Sequence, residues 1–132
     1  MLNFAGRVST EWSADGRGRV DIRIQEPCWG IELLRDGNRL TEHCDRFADN
    51  GRYKRWIDNH WLKDWLVIDC RTSRPSCPFG KLFPASYSGA TNSAVEDKDT
   101  KLWRAVFAED YLSIEILDQF NSIVIPRFPL MN

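Results

Sequence analysis

Two short runs that are apolar almost throughout, WGIELLR at residues 29–35 and DWLVIDC at 64–70, constrain this chain most. Each has the length and composition of a strand inside a sheet, and the span between them reads as helix, so the connection is a crossover of the kind found in α/β folds. WGIELLR is apolar on both sides except for Glu32, which predicts a central strand covered on both faces.

The flanking segments fill in the order of elements. Residues 7–13 alternate with Val8, Thr10 and Trp12 on one side, and residues 18–25 with Val20, Ile22 and Ile24, so a turn at SADGRG makes the pair a hairpin. RLTEHCDRF places Leu40, Cys44 and Phe47 at i, i+4, i+7 and pairs Glu42 with Arg46, with Asn50-Gly51 as the stop. A second helical stretch directs Tyr53, Trp56, Ile57 and Trp61 to the core. Residues 72–100 hold most of the Pro and Ser, show no period, and read as a mobile loop. KLWRAVFAED, LSIEILD and SIVIPRF then return as strands, the last two joined by a tight turn near Gln119 to Asn121.

At 132 residues this is the length of one domain with one sizeable core, rich in Trp and Phe. A net charge of -1 gives no general basic field for nucleic acid, although a nuclease needs only a local basic rim around an acidic metal site. The four cysteines form no zinc-ligand spacing, and Cys44 and Cys70 read as small core residues. No apolar run approaches the roughly 18 residues that span a bilayer, and the first residues lack a secretory pattern. The expectation is an intracellular protein, the nucleus included, with no membrane partner.

The order hairpin, central strand, helix, strand resembles the core of the restriction-endonuclease-like superfamily, whose motif is written PD-(D/E)xK. GRVDI, WGIELLRDGNRLTEHCDRF, NGRYKRWI, DWLVIDCRTSRP and KLWRAVFAEDY, spanning about residues 6–118, resemble the nuclease domain of crinkler-type and retrotransposon-hot-spot-related effectors. The resemblance implies an α/β fold with a central mixed sheet flanked by helices and further antiparallel strands at the C-terminal end. It also implies phosphodiester hydrolysis of nucleic acid, with DNA the expected substrate, and an upstream NTPase module or a host protein as partner.

By that resemblance Asp21 and Glu32 hold Mg²⁺ or Mn²⁺, with the Leu33 carbonyl as a further ligand. Two carboxylates on neighbouring strands suit such a cation, which lowers the pKa of a bound water and stabilises charge on the phosphate. The Lys of the motif is replaced by Leu34, which points to Arg35, or to Arg39 or His43 from the helix, as the compensating basic group. Arg39, Arg52, Lys54 and Arg55 are the expected phosphate contacts.

Each residue also has a plainer reading. A carboxylate inside an apolar strand must be paired or neutralised, so Glu32 forms a salt bridge to Arg23 or Arg35. Asp21 and Glu11 are solvated strand acids, and His43 is a hydrogen-bonded boundary residue. Arg52, Lys54 and Arg55 form a solvated helix face between Asp49 and Asp58, and Asp69 and Arg71 pair with neighbours. The leading alternative to a nuclease is a domain that keeps the fold but binds nucleic acid or protein without turnover; a second is a structural or regulatory domain of a larger effector, working through an aromatic interface that includes Trp56, Trp61 and Trp65.

Overall fold

The computed structural model describes residues 7–76 and 101–131. The chain is mixed α/β, and its order is β1 (Val8–Trp12), β2 (Val20–Ile24), β3 (Trp29–Arg35), α1 (Leu40–Asp45), α2 (Lys54–Asp58), β4 (Asp64–Arg71), β5 (Leu102–Phe107), β6 (Ser113–Leu117) and β7 (Ile123–Pro129). The strands hydrogen-bond in sequence order, β1 through β7, in one seven-stranded sheet. The sheet is mixed. β1 and β2 pair antiparallel, as do β2 and β3, β5 and β6, and β6 and β7. Between β3 and β4, Lys63 N–H donates to the Cys28 carbonyl and Asp36 N–H to the Cys70 carbonyl, so their partners advance together and the strands run parallel. The crossover read from the sequence is thus present, and the expected loop at 72–100 lies outside the described residues from 77 onward, as does Cys77.

Two compact units make up the chain, one of Met1–Leu34 with Asn38–Ile68, the other of Arg35–Gly37 with Asp69–Asn132. The core of the first is a file of aromatic rings. Trp65 stacks on Phe47 at 4.4 Å between ring centroids, Phe47 meets Tyr53 edge-on at 5.0 Å, Tyr53 stacks on Trp56 at 4.5 Å, and Trp56 meets Trp12 edge-on at 5.3 Å. Each such pair adds about 0.5–1.5 kcal/mol beyond its buried area. Val20 and Leu62 close this core at 0% exposure.

The helices are short because their caps are weak and their next turns irregular: α1 starts after Arg39 in a left-handed conformation with no side-chain cap, and α2 also lacks one. Tertiary packing therefore carries them. Leu40, Cys44 and Phe47 are buried as the spacing predicts. Gly51 makes the return from α1 possible. A Cβ there would stand 2.1 Å from the Asp45 carbonyl oxygen, and its absence lets Tyr53 N–H reach the Arg46 carbonyl at 2.7 Å.

Three expectations are corrected. β3 is covered on one face only: Gly30, Glu32 and Leu34 are buried, whereas Trp29 and Leu33 are exposed. An apolar run signals tolerance for burial, and its second face here is open. Trp61 lies exposed beyond the end of α2, where His60 takes a positive φ and turns the chain, and Leu62 takes the core position instead. Val8 is 62% exposed although it keeps the register of Thr10 and Trp12, because it opens β1, the edge strand of the sheet.

In the second unit Leu102, Val106 and Leu117 form the core. The turn at 118–122 is held by Asp118, whose Oδ1 accepts from Phe120 N–H at 2.8 Å and Ser122 N–H at 2.9 Å. Buried Arg104 reaches across to the Gln119 carbonyl and Asn121 Oδ1, locking that turn to β5.

Candidate functional site

The most chemically loaded place in the described chain is the buried face of β3. Because β3 alternates, Glu32 shares its face with Gly30 and Leu34, and α1 lies on that face. His43 and Arg46 are three residues apart and so project together. His43 Nδ1 stands 2.7 Å from Glu32 Oε2, and Arg46 Nη1 donates to the same oxygen at 2.8 Å. Tyr53, at the entry to α2, donates its hydroxyl to Glu32 Oε1 at 2.9 Å and also reaches the Arg19 carbonyl.

A carboxylate only accepts, so the proton between Glu32 and His43 belongs to Nδ1. The Glu32 side chain is 1% exposed and that of His43 16%. Burial opposes the charge of Arg46, but the Glu32 charge and a hydrogen bond to Glu42 outweigh it and raise the guanidinium pKa. Burial, followed by the Glu32 charge, pushes the Tyr53 hydroxyl up to about 12. Tyr53 therefore remains a neutral donor.

Asp21 sits on β2 and does not join this cluster. The β2–β3 ladder is regular from Ile24↔Trp29 to Ile22↔Ile31, and beyond it Asp21 Oδ2 accepts from Leu33 N–H at 2.7 Å. The carboxylate thus occupies a ladder position as an acceptor.

These groups do not fit the metal set that the sequence resemblance implies. Both oxygens of Glu32 receive donors from the protein, one from a guanidinium that already balances its charge, and Asp21 is bonded to the amide of the residue expected to ligate through its carbonyl. Among the described residues no group of three or more His, Cys, Asp or Glu side chains is placed to hold a cation. Leu34, in the motif's Lys position, is buried on the Glu32 face.

The other expected site residues separate. Arg35 is a surface residue near Asp36 at 3.4 Å. Arg39 forms a two-pronged bond with Glu42, at 2.7 and 2.8 Å. Lys54 lies between Asp58 at 2.9 Å and Asp49 at 3.5 Å, and Arg55 faces Asp15 at 3.8 Å. Arg52 is exposed, with its stem against Gly18. Three of the four expected phosphate contacts are therefore matched by carboxylates.

The salt bridge expected from Glu32 to Arg23 or Arg35 is not the one formed. Arg23 lies over the Trp12 ring at 4.4 Å, and the partner of Glu32 is Arg46. Arg46 and Tyr53 are the residues that sequence reading missed. The i, i+3 spacing of His43 and Arg46 signalled a shared face, and a buried Tyr requires a partner for its hydroxyl. Glu11 pairs with Arg19 at the surface, and Asp69 bonds Arg71 and the amide of Gly37.

Among the described residues no helix is long and apolar enough to cross a membrane, and Cys28 and Cys70 are free thiols. No protein-family model matches the chain, and no curated protein or solved structure matches it significantly.

Proposed function

We propose that this chain is a non-catalytic protein-binding module on a restriction-endonuclease-like scaffold, in which the acid of the metal site has become an internal anchor. The observation that carries this reading is the saturation of Glu32 by His43, Arg46 and Tyr53. A buried carboxylate bonded in this way ties α1 and the approach to α2 onto β3, and stripping its donors to admit a cation leaves Arg46 without its partner. Protein is favoured over nucleic acid because three of the four expected phosphate contacts, Arg39, Lys54 and Arg55, are matched by carboxylates while Trp29, Leu33 and Trp103 are open to solvent.

A second reading has its own observation. His43 Nδ1 and Glu32 Oε2, 2.7 Å apart, form a carboxylate–imidazole pair, and in its neutral form such an imidazole acts as a general base through Nε2 without metal. RNA suits such a base, since its 2′-hydroxyl, giving its proton to the imidazole, bonds to the adjacent phosphorus as the P–O5′ bond breaks, and the 5′-oxygen leaves with a proton returned from the imidazolium or water.

One experiment separates these readings. Supercoiled plasmid and single-stranded RNA are incubated with Mg²⁺, Mn²⁺ or EDTA, beside Glu32→Gln and His43→Gln controls, and Mn²⁺ binding is followed by calorimetry. No cleavage and no Mn²⁺ heat from folded protein is the expected result. Metal-dependent cleavage lost in Glu32→Gln overturns the proposal in favour of the nuclease, and EDTA-resistant RNA cleavage lost in His43→Gln overturns it in favour of the metal-free base.

A further inference from the structure

β5, β6 and β7 present one face that is apolar along all three strands. Cross-strand partners share a face, and the register pairs Phe107 with Ile114, Ile114 with Phe128, and Ile116 with Ile125. Continuing the register past Ser113↔Pro129 pairs Leu112 with Leu130, whose N–H donates to the Leu112 carbonyl at 2.9 Å. The charged residues of these strands belong to the opposite face: Arg104, Glu115, and Arg127, which bonds Glu115 at 3.4 Å.

The apolar face is closed at its centre, where Ala105 is 4% and Ile114 8% exposed, and open around it. Trp103 is 38% exposed, Leu112 53%, Ile125 39%, Phe128 39% and Leu130 43%, with Phe107 and Ile116 half-buried beside them. At about 200 Å² for a large side chain, these groups leave roughly 500 Å² of apolar surface in water. That is near the upper end of the largest patch on an ordinary monomer, about 300–600 Å².

We propose that a second copy of this chain packs on this face, the two β5–β7 faces meeting as layers about a two-fold axis. This rests on the protein-binding reading above and names its partner. Two copies remove roughly 1,000 Å² in total, about the minimum for a specific interface, so the dimer is weak and reversible. The net charge of -1 sets up little repulsion between copies, and an uncharged face is its own complement.

The contact is between faces rather than edges. Every residue of β7 is exposed, yet Pro126 and Pro129 lack an N–H, and the β6–β7 pairing shifts register twice, between Ile114/Ile116 and Ile116/Leu117. Proline and bulges are the usual protection of an edge strand against a further strand. Side-chain packing across two sheets needs neither.

Sedimentation velocity of the whole chain, from low micromolar to several hundred micromolar, tests this. The expected result is a monomer that becomes a dimer with concentration, a shift of at least tenfold to weaker association in Ile125→Lys and in Phe128→Lys, and no shift in Val8→Lys, which alters a still more exposed apolar residue, on β1. Circular dichroism melts identify any variant that fails to fold, and either of the two β7 variants suffices. A wild-type monomer at every concentration overturns the proposal and assigns the face to a different protein, and so does a dimer indifferent to both β7 substitutions. Neither outcome depends on whether the chain cleaves nucleic acid, so this inference and the functional reading fail separately.

Discussion

Arg46 Nη1 lies 2.8 Å from Glu32 Oε2, a bond that fastens α1 to the strand preceding it in the chain. The Arg46 side chain is 19% exposed and that of Glu32 is 1% exposed, so the pair is largely withdrawn from water and each charge depends on the other.

Breaking this pair from one side is expected to be costly. Glu32→Gln and Arg46→Met are each predicted to lower stability by about 3–5 kcal/mol, since each leaves a buried polar group without its partner. Glu32→Leu combined with Arg46→Met is predicted to cost less than the sum of its two single changes, because no charge is then stranded. Urea denaturation of the three variants and the double mutant provides the cycle. Additive losses contradict the coupling.

Tyr53 is predicted to ionise late. Its folded-state pKa of about 12 stands above its ordinary 10.0, chiefly from burial and then from the Glu32 charge. A raised value means that its contribution to stability is complete below pH 10 and is lost as the pH rises from there through 12. Ultraviolet titration of native protein should show one tyrosine missing from the transition near pH 10, and Tyr53→Phe should remove the late step.

Glu115 carries the opposite dependence. Arg74 grips it from two sides, at 2.7 and 2.8 Å, and holds its carboxyl below the ordinary 4.5, with Arg127 adding to the effect. A lowered value gives stability that is present above pH 4.5 and lost as the pH falls through the folded value. Glu115→Gln is predicted to cost about 1–3 kcal/mol at pH 7 and to flatten the fall of stability below pH 4.5. Thermal melts between pH 3 and 7 for both proteins test this, and parallel curves would count against it.

Gly51→Ala is predicted to destabilise by about 3 kcal/mol or more, because the new methyl meets the backbone oxygens of Asp45 and Arg46 at 2.1 and 2.4 Å and only a shift of the chain can relieve it. Gly16→Ala offers a contrast. No atom lies within 4 Å of its Cβ position, so only its φ of +75° opposes the change, and a loss of about 1 kcal/mol is expected.

The strands were legible because their signal is local. WGIELLR, for residues 29–35, coincides with β3, and the turn near Gln119 to Asn121 falls between β6 and β7 as read. The burial of Leu40, Cys44 and Phe47 followed from i, i+4, i+7 spacing. Glu32 was legible as a residue needing a partner, since a carboxylate in an apolar strand always does. Which partner it takes was not legible. Arg23 and Arg35 were nearer in the sequence, but Arg23 is drawn over Trp12, and Arg35 alternates to the face opposite Glu32.

The sequence by itself determined the order of elements, the parallel crossover and the requirement that Glu32 be neutralised, because periodicity and the cost of burying charge act within a few residues. Only the tertiary structure decided that His43, Arg46 and Tyr53 meet that requirement, that Asp21 turns to the Leu33 amide, and that β3 is covered on one face. Those outcomes depend on where the crossover lays α1 against the sheet, and contacts between residues distant in the chain leave no periodic trace from which they could be read.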